Sequence, residues 1–586
     1  MVTQSFTVMG HFSDGSQKAL SPEGWAVNLP LVGGIDGKGL YTPSTLAGGG
    51  VTITAKYQGN KGSATLNVKL HYSQNPGNVP AGTQGKLKSA SVADAVIQWA
   101  YPYDKTVFPR GLGSTPLEWN KGGAGDQYYL HLKSAFYELE TFAIAPPPSR
   151  FAMPQVDWGK FVDSTAGAAD LSVNRWDGTT ATTVIHHTWT IAPASMRGTV
   201  YSWSNNLGRV LRIKPGAIAP DDFLAASGVT GCSTCHAVSA DGSTLVIGGD
   251  VTTSTFDLKT NKPSFAGMGR AWAQPALTPD GKFLVQNASP LPGPPGGADG
   301  LRSSANAKRA TSSGLDGRTF GMPTFAPDGS RLVYRDEGNG GTPGSLRAWD
   351  FDPKLVKASN DHELVKPGAN AALATISFPT VTPDAKWIVY GRGNTIDTRF
   401  GTSDLYIVSA TSPNSEVRLA QANGDGYPFA EGARDLGWNF EPTFAPVAAG
   451  GYFWFVMTTR RTYGNELVGG KDSTKQLWVV AIDQTPQLGK DPSHPAFRLP
   501  GQAIDSLNMR GFWALDPCKQ DGSSCSSGTE CCNGYCDASP DGGPPVCGPK
   551  QGCANNGNKC DVSADCCGSA FGTTCINHVC SEPTPN

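Results

Sequence analysis

Met322-Pro-Thr-Phe-Ala-Pro-Asp328-Gly-Ser-Arg-Leu-Val333 returns downstream as Phe378-Pro-Thr-Val-Thr-Pro-Asp384-Ala-Lys-Trp-Ile-Val389 and upstream as Gln274-Pro-Ala-Leu-Thr-Pro-Asp280-Gly-Lys-Phe-Leu-Val285. Each copy reads as a strand, a tight turn and a second strand; the turn is Asp-Gly in two of them, where Gly supplies positive φ, and Asp384-Ala in the third. Glu441-Pro-Thr-Phe-Ala-Pro446 opens another copy without the Asp-Gly. Cys235-His-Ala-Val-Ser-Ala-Asp241-Gly keeps the same register, and Arg510-Gly-Phe-Trp-Ala-Leu-Asp516 keeps the six-residue offset to Asp. Further strand patterns follow in several copies, as in Ser345-Leu-Arg-Ala-Trp-Asp350, Asp404-Leu-Tyr-Ile-Val408 and Gln476-Leu-Trp-Val-Val480. A unit that recurs in register and cannot bury both of its faces alone implies stacked sheets with a shared core.

These copies resemble the blades of TolB-like β-propellers, which implies a propeller over residues 216–517 with six blades. The Arg510–Asp516 strand is expected to complete a blade whose outer strands come from before Cys232, closing the ring and removing exposed edges. The Pro-, Gly-, Ala- and Ser-rich stretch from about Pro290 to Gly314 reads as a long loop on one blade.

Composition agrees with an all-β chain. Glycine (72) and proline (44) make about a fifth of the 586 residues, and aromatics make 9%. That mixture suits short strands joined by tight turns and nearly excludes long helices. Charged residues are only 16%, and 47 basic residues balance 49 acidic ones. No field of one sign exists to draw nucleic acid or an anionic membrane. No apolar stretch reaches the length of a membrane span.

The flanks read as further domains. Residues 3–70 alternate between turn signals, with Phe6-Thr-Val-Met9, Trp25, Val51-Thr-Ile-Thr-Ala55 and Ala64-Thr-Leu-Asn-Val68. Their order resembles bacterial Ig-like domains. A polar stretch gives a linker at 71–92. Strand patterns such as Pro116-Leu-Glu-Trp119, Tyr128-Tyr-Leu-His-Leu132 and Gly198-Thr-Val-Tyr-Ser-Trp203 then resemble a second Ig- or fibronectin-like β-sandwich, placed at 93–215.

Of 14 cysteines, only Cys232 and Cys235 precede the tail. Cys232-Ser-Thr-Cys235-His236 has the spacing of a c-type haem attachment site, in which two thiols reach one porphyrin edge and the next residue supplies the axial imidazole. The expected cofactor is covalent haem c, with His236 on the iron. Cys235 shares its register with Gln274, Met322, Phe378 and Glu441, positions that ring one mouth of the channel. Met322 is the first choice for a sixth ligand, with Met268, Met509, His186 and His187 as competitors. Arg270 and Arg318 are candidates for the propionates. The competing reading is a Cys232–Cys235 disulfide with His236 as an ordinary turn residue; a zinc half-site fits less well.

The tail spaces its cysteines as C-x6-C-x5-CC twice, from Cys518 and from Cys553. This resembles two inhibitor-cystine-knot (knottin-like) modules at 518–548 and 549–586. The resemblance implies the disulfides Cys518–Cys532, Cys525–Cys536 and Cys531–Cys547, then Cys553–Cys567, Cys560–Cys575 and Cys566–Cys580. Modules this small need such staples, and the staples need an oxidising compartment. The protein is therefore expected to be exported, whether periplasmic, cell-surface or extracellular. Met1-Val-Thr-Gln-Ser shows no leader, so the chain is read as trimmed.

No Gly-x-Ser-x-Gly, His-Glu-x-x-His or phosphate-cradling loop occurs, so enzymatic activity is left open and no catalytic residue is named. The leading expectation is an exported monohaem c-type cytochrome-like propeller that transfers electrons or senses a small ligand, with a redox partner. The alternative is a surface adhesion or binding protein for a protein or polysaccharide, in which CxxCH is a structural disulfide.

Overall fold

The computed structural model describes residues 2–29, 31–196, 198–223, 235–248, 253–268, 273–287, 300–316, 318, 320–336, 344–428, 435–468, 474–516, 522–524, 536–537, 546–547, 574–576 and 579–581. The chain divides into two compact units. One comprises Met1–Trp99, Phe108–Ser195 and Cys518–Asn586; the other comprises Ala100–Val107 and Met196–Pro517.

The second unit is a β-propeller. Among the described residues it holds six antiparallel sheets, whose inner strands are Cys235–Val238, Ala273–Leu277, Gly321–Phe325, Thr375–Val381, Asn439–Phe444 and Asn508–Ala514 (blades 1 to 6). The turn after each inner strand follows from the repeat. In blades 1, 2 and 4 the hydroxyls of Ser239, Thr278 and Thr382 donate to the carboxylate of the Asp two residues on, at 2.7, 2.7 and 2.6 Å. The same carboxylates accept backbone N–H groups from Ser243, Lys282 and Lys386, so one Asp organises the whole turn. The next residue is left-handed: Gly242, Gly281 and Gly329 have φ of 70°, 68° and 77°, and Ala385 is forced to 58° in blade 4.

Blade 6 joins the two ends of the unit. Its inner strand Asn508–Ala514 pairs with Thr199–Ser204, which pairs with Arg209–Ile213 and then with Asp221–Asp222. The strands at 199–213 alternate like those of the preceding sandwich, and the sequence placed them there. The partner that claims them is the distant C-terminal strand, so the propeller begins well before 216. Tyr201, Val210, Phe223 and Ala514 of blade 6 pack with Leu245, Ile247 and Phe256 of blade 1 in one buried cluster. Where other inner strands carry Pro, blade 6 carries Gly511, because a Cβ there would lie 3.0 Å from Val456 and 3.2 Å from Val200. Part of the expected loop at 290–314 is ordered: Arg302–Ser303 forms the third strand of blade 2. Residues 288–299 lie outside the described residues. The short segment 100–107 also belongs to this unit. There Tyr103 stacks on Tyr427 (4.5 Å, 13°), and the Tyr101 hydroxyl accepts the Arg498 N–H at 3.1 Å.

The first unit is also β. Its N-terminal part pairs Gly24–Val27 with Gly49–Tyr57 and that strand with Asn60–Val68. A larger sheet then runs in the order Ala181–Ser195, Gly167–Trp176, Gln127–Lys133, Tyr137–Ile144, Leu70–Gln74. Trp119, Trp158 and Trp189 are fully buried in this unit. The expected linker at 71–92 is not one: Leu70–Gln74 adds a parallel edge to Tyr137–Ile144, and Ala81–Lys88 is a helix that buries Leu87. A few apolar residues suffice there because the backbone bonds are satisfied by the neighbouring sheet. In the tail, Cys536–Asp537 pairs with Val546–Cys547 and Thr574–Ile576 with Val579–Ser581. Cys547 is disulfide-bonded. The other tail cysteines have backbone at most within the described residues. No described helix is long and apolar enough to cross a membrane.

Two stability measurements follow. Ala385→Gly should raise stability by about 0.5–1 kcal/mol, because relief of the left-handed strain outweighs the extra chain entropy of Gly; urea unfolding reads it. Trp513→Ala, which empties a buried position on the closing strand, should cost about 3–5 kcal/mol in the same assay.

Candidate functional site: the channel and its mouth ring

The residues that open the repeat motif on the inner strands form a ring with one backbone conformation. Gln274, Met322, Phe378, Glu441 and Arg510 have φ of 44°, 49°, 46°, 54° and 45°. Each sits at a break in register between inner and second strand. Such a bulge frees the following residue from the ladder, which is why Pro can occupy it at 275, 323, 379 and 442. The left-handed residue costs of order 1–2 kcal/mol at each position, and contacts between blades offset it. The Met322 Sδ accepts the N–H of Phe378 on the next blade at 3.2 Å. The Glu441 Oε2 accepts the N–H of Arg510 on the next blade at 2.7 Å, together with the Thr458 hydroxyl at 2.9 Å. One turn deeper, the Thr380 hydroxyl oxygen accepts the Phe444 N–H at 3.0 Å. Inner strands of neighbouring blades share no ladder, and these side chains join them.

His236 stands at the proline position of blade 1. It pairs with Ile247 in the ladder, and its ring is 1% exposed. The ring meets Phe512 edge-on at 5.2 Å, and Nε2 lies 3.4 Å from the Tyr201 carbonyl oxygen. Nδ1 is buried with no hydrogen-bond partner. Burial, helped by the nearby Arg510 charge, lowers its pKa to about 3, so the imidazole is neutral. It therefore fills the seam where blade 1 meets blade 6.

The channel holds a cavity of about 70 Å³, room for about five water molecules. Pro279, Pro327 and Pro446 line it toward the turns, and Phe378, Glu441 and Arg510 toward the ring. The Arg510 guanidinium lies over Phe378 and Phe512, 5.0 Å from each ring. Beside the ring, Lys475 is 1% exposed. Its Nζ donates to the Thr398 hydroxyl at 2.7 Å and the Met509 Sδ at 3.2 Å. Burial pushes the ammonium below the ordinary lysine range, against the pull of Glu441 and Asp397.

These positions differ in how they meet the expected haem ligation. Cys232 lies outside the described residues, and only the backbone of Cys235 is described, paired with Gly248. His236 faces inward, so its ring presents no nitrogen to an iron outside the blades. Of the expected haem-binding residues Cys232, Cys235 and His236, only His236 has a described side chain, and as placed in the seam it does not fit an axial ligand. The Met322 sulfur is engaged by Phe378, and the Met509 sulfur by Lys475. His186, bonded to Ser172 at 2.9 Å, and His187, edge-on to Trp99, belong to the other unit. The Met268 side chain and Arg270 lie outside the described residues, and Arg318 covers the Trp349 ring at 5.6 Å. Sequence reading missed Lys475 and Thr398, which lie on loops with no repeat signal, and noted Glu441 only by its register.

No protein-family model and no curated protein matches the chain. Solved structures similar to it include a TolB from Agrobacterium tumefaciens at 12% identity, covering 55% of this chain and 93% of that one with a TM-score of 0.31. Kuenenia stuttgartiensis hydrazine synthase matches at 14% identity over 58% and 93%, with a TM-score of 0.28. The β-propeller domain of Myceliophteria thermophila Cps50 (Swd1) matches at 11% identity over 46% and 87%, with a TM-score of 0.25. Scores this low carry no argument, and the propeller fold rests on the strand pairing itself.

The ring gives two predictions. Glu441→Ala removes the acceptor of the Thr458 hydroxyl and one of the two acceptors of the Arg510 N–H, which keeps the Thr458 oxygen at 2.9 Å, so it should cost about 1 kcal/mol in urea unfolding. His236 has a folded pKa near 3 and an unfolded one near 6.5. The unfolded chain therefore takes up a proton first as pH falls. Its contribution to stability is complete above about pH 6.5 and declines by about 1.4 kcal/mol per unit toward pH 3. The difference in unfolding free energy between wild type and His236→Asn should show that slope over that window.

Proposed function

We propose that the chain is an exported binding protein of TolB-like character, whose propeller presents a ligand site at the mouth of its channel. The observation that carries this reading is the use of the mouth ring. Met322 and Glu441 join blades and His236 fills a seam, while Lys475 beside the ring keeps a buried charge with no carboxylate in ion-pair distance among the described residues. In this reading the first 70 residues are an Ig-like module and the second sandwich a spacer. The tail forms two knottin-like modules with the disulfides that the resemblance to that family implies, and Cys232 and Cys235 form a disulfide. The twelve tail cysteines support export through their need for an oxidising compartment. The partner is a small molecule, a surface protein or a polysaccharide.

A second reading, the monohaem c-type protein with electron-transfer or sensing activity, is favoured by one observation. His236, directly after Cys235, is a neutral imidazole with a buried nitrogen that lacks a hydrogen-bond partner. One experiment separates the two. The full chain is expressed in a host with cytochrome c maturation machinery, extracted with acid acetone and examined for a Soret band and by intact mass. The binding reading expects a colourless protein in which Cys232 and Cys235 resist alkylation until reduced. A covalent Soret band lost in His236→Asn would overturn it.

A further inference from the structure

We infer that Lys475 anchors a binding site for a small carboxylate monoanion at the channel mouth, with Met509 as its movable cover. This rests on the reading of the propeller as a binding module and names its ligand class. A buried ammonium is costly unless paired. Lys475 has no carboxylate within ion-pair distance among the described residues, and its two acceptors are a hydroxyl and a thioether. A thioether is a weak acceptor. Met509 is also half-exposed and unbranched, so it can swing away at little cost.

The surroundings select the charge and size of the ligand. Arg399 lies nearby but is paired with Asp397 at 3.1 Å. The Arg460 guanidinium is held by the carbonyls of Arg399 and Gly401 at 2.6 and 2.7 Å. Both arginines and Lys475 add positive potential, and Glu441 and Asp397 add negative potential. The net surplus is about one positive charge, which suits a monoanion and disfavours a dianion such as phosphate. The Thr398 hydroxyl accepts from Lys475, so its own hydrogen is free to donate. Ammonium and hydroxyl then offer two donors side by side, matching the two oxygens of a carboxylate better than a single halide ion. An anion that replaces the Met509 sulfur exchanges a hydrogen bond from the ammonium to a weak thioether acceptor for one to a charged oxygen.

The test uses the full chain and sodium acetate as probe, titrated calorimetrically at constant ionic strength, with sodium chloride and sodium phosphate as parallel arms. Acetate should bind, and Lys475→Gln should weaken it by at least tenfold, about 1.4 kcal/mol. Met509→Ala should retain binding. Should Lys475→Gln fail to fold, the wild-type protein still decides the matter through reductive methylation read by mass spectrometry. Acetate should slow labelling of Lys475 but not of the exposed Lys354. Absence of acetate binding, equal binding by Lys475→Gln, or equal response to chloride or phosphate would overturn the site. Those results leave the colour of the protein unchanged, whereas a covalent Soret band overturns the underlying binding reading.

Discussion

The pairing of Thr199–Ser204 with Asn508–Ala514 is the constraint on which the propeller depends. Without it blade 6 has no inner strand, blade 1 loses the neighbour that buries His236, and the ring of inner strands has an open edge. Antiparallel sheets tolerate open edges poorly, because unpaired N–H and C=O groups invite other chains. The local packing shows how tightly the seam is closed. At Gly511 a Cβ would press on Val456 of blade 5 at 3.0 Å and on Val200 of the second strand of blade 6 at 3.2 Å, closer than ordinary contact. The cluster around Phe223 and Phe256 continues that packing into blade 1.

The mouth ring shows how one motif can carry two meanings. A bulge with a left-handed residue followed by proline recurs because the bulge removes the second residue from the ladder, and a side chain from the first reaches the next blade. Blade 1 departs from that geometry: Cys235 and His236 stand in register with the left-handed residue and the proline, but both stay in an unbroken ladder, opposite Gly248 and Ile247. A histidine at that position is directed into a seam by the fold, whatever its sequence neighbours suggest. Spacing in a sequence reports which side chains could converge, but a strand ladder decides which way each one faces.

Legibility followed the range of the interactions. The Asp-Gly turns were plain in the sequence because each is organised within six residues, by a hydroxyl, a carboxylate and a left-handed glycine. The same periodicity placed all six inner strands, including the one at Arg510. Strands 199–213 could not be assigned by pattern, since their alternation fits any half-buried sheet and only the distant partner distinguishes them. Residues 71–92 looked like a linker because parallel edge pairing and one buried leucine leave almost no hydrophobic trace. The haem expectation rests on a five-residue spacing of which only His236 has a described side chain, and that ring lies against Phe512 and the Tyr201 carbonyl. Lys475 and Thr398 come from two loops and Met509 from the closing strand Asn508–Ala514, a meeting that no local pattern records.

The closing pair also sets the order in which the molecule can be completed. During synthesis the chain from Thr199 to Asp222 emerges first, as three strands of a sheet whose innermost member is still missing. Blades 1 to 5 can pack on one another in sequence, since each contacts only its neighbours. The three waiting strands remain an unsatisfied edge until the last inner strand arrives. Contacts of such sequence separation form late and leave intermediates open to mispairing. A pause or cut anywhere between blade 5 and Ala514 would therefore leave a nearly complete but sticky ring, and folding of this unit is governed by the arrival of its final seven residues.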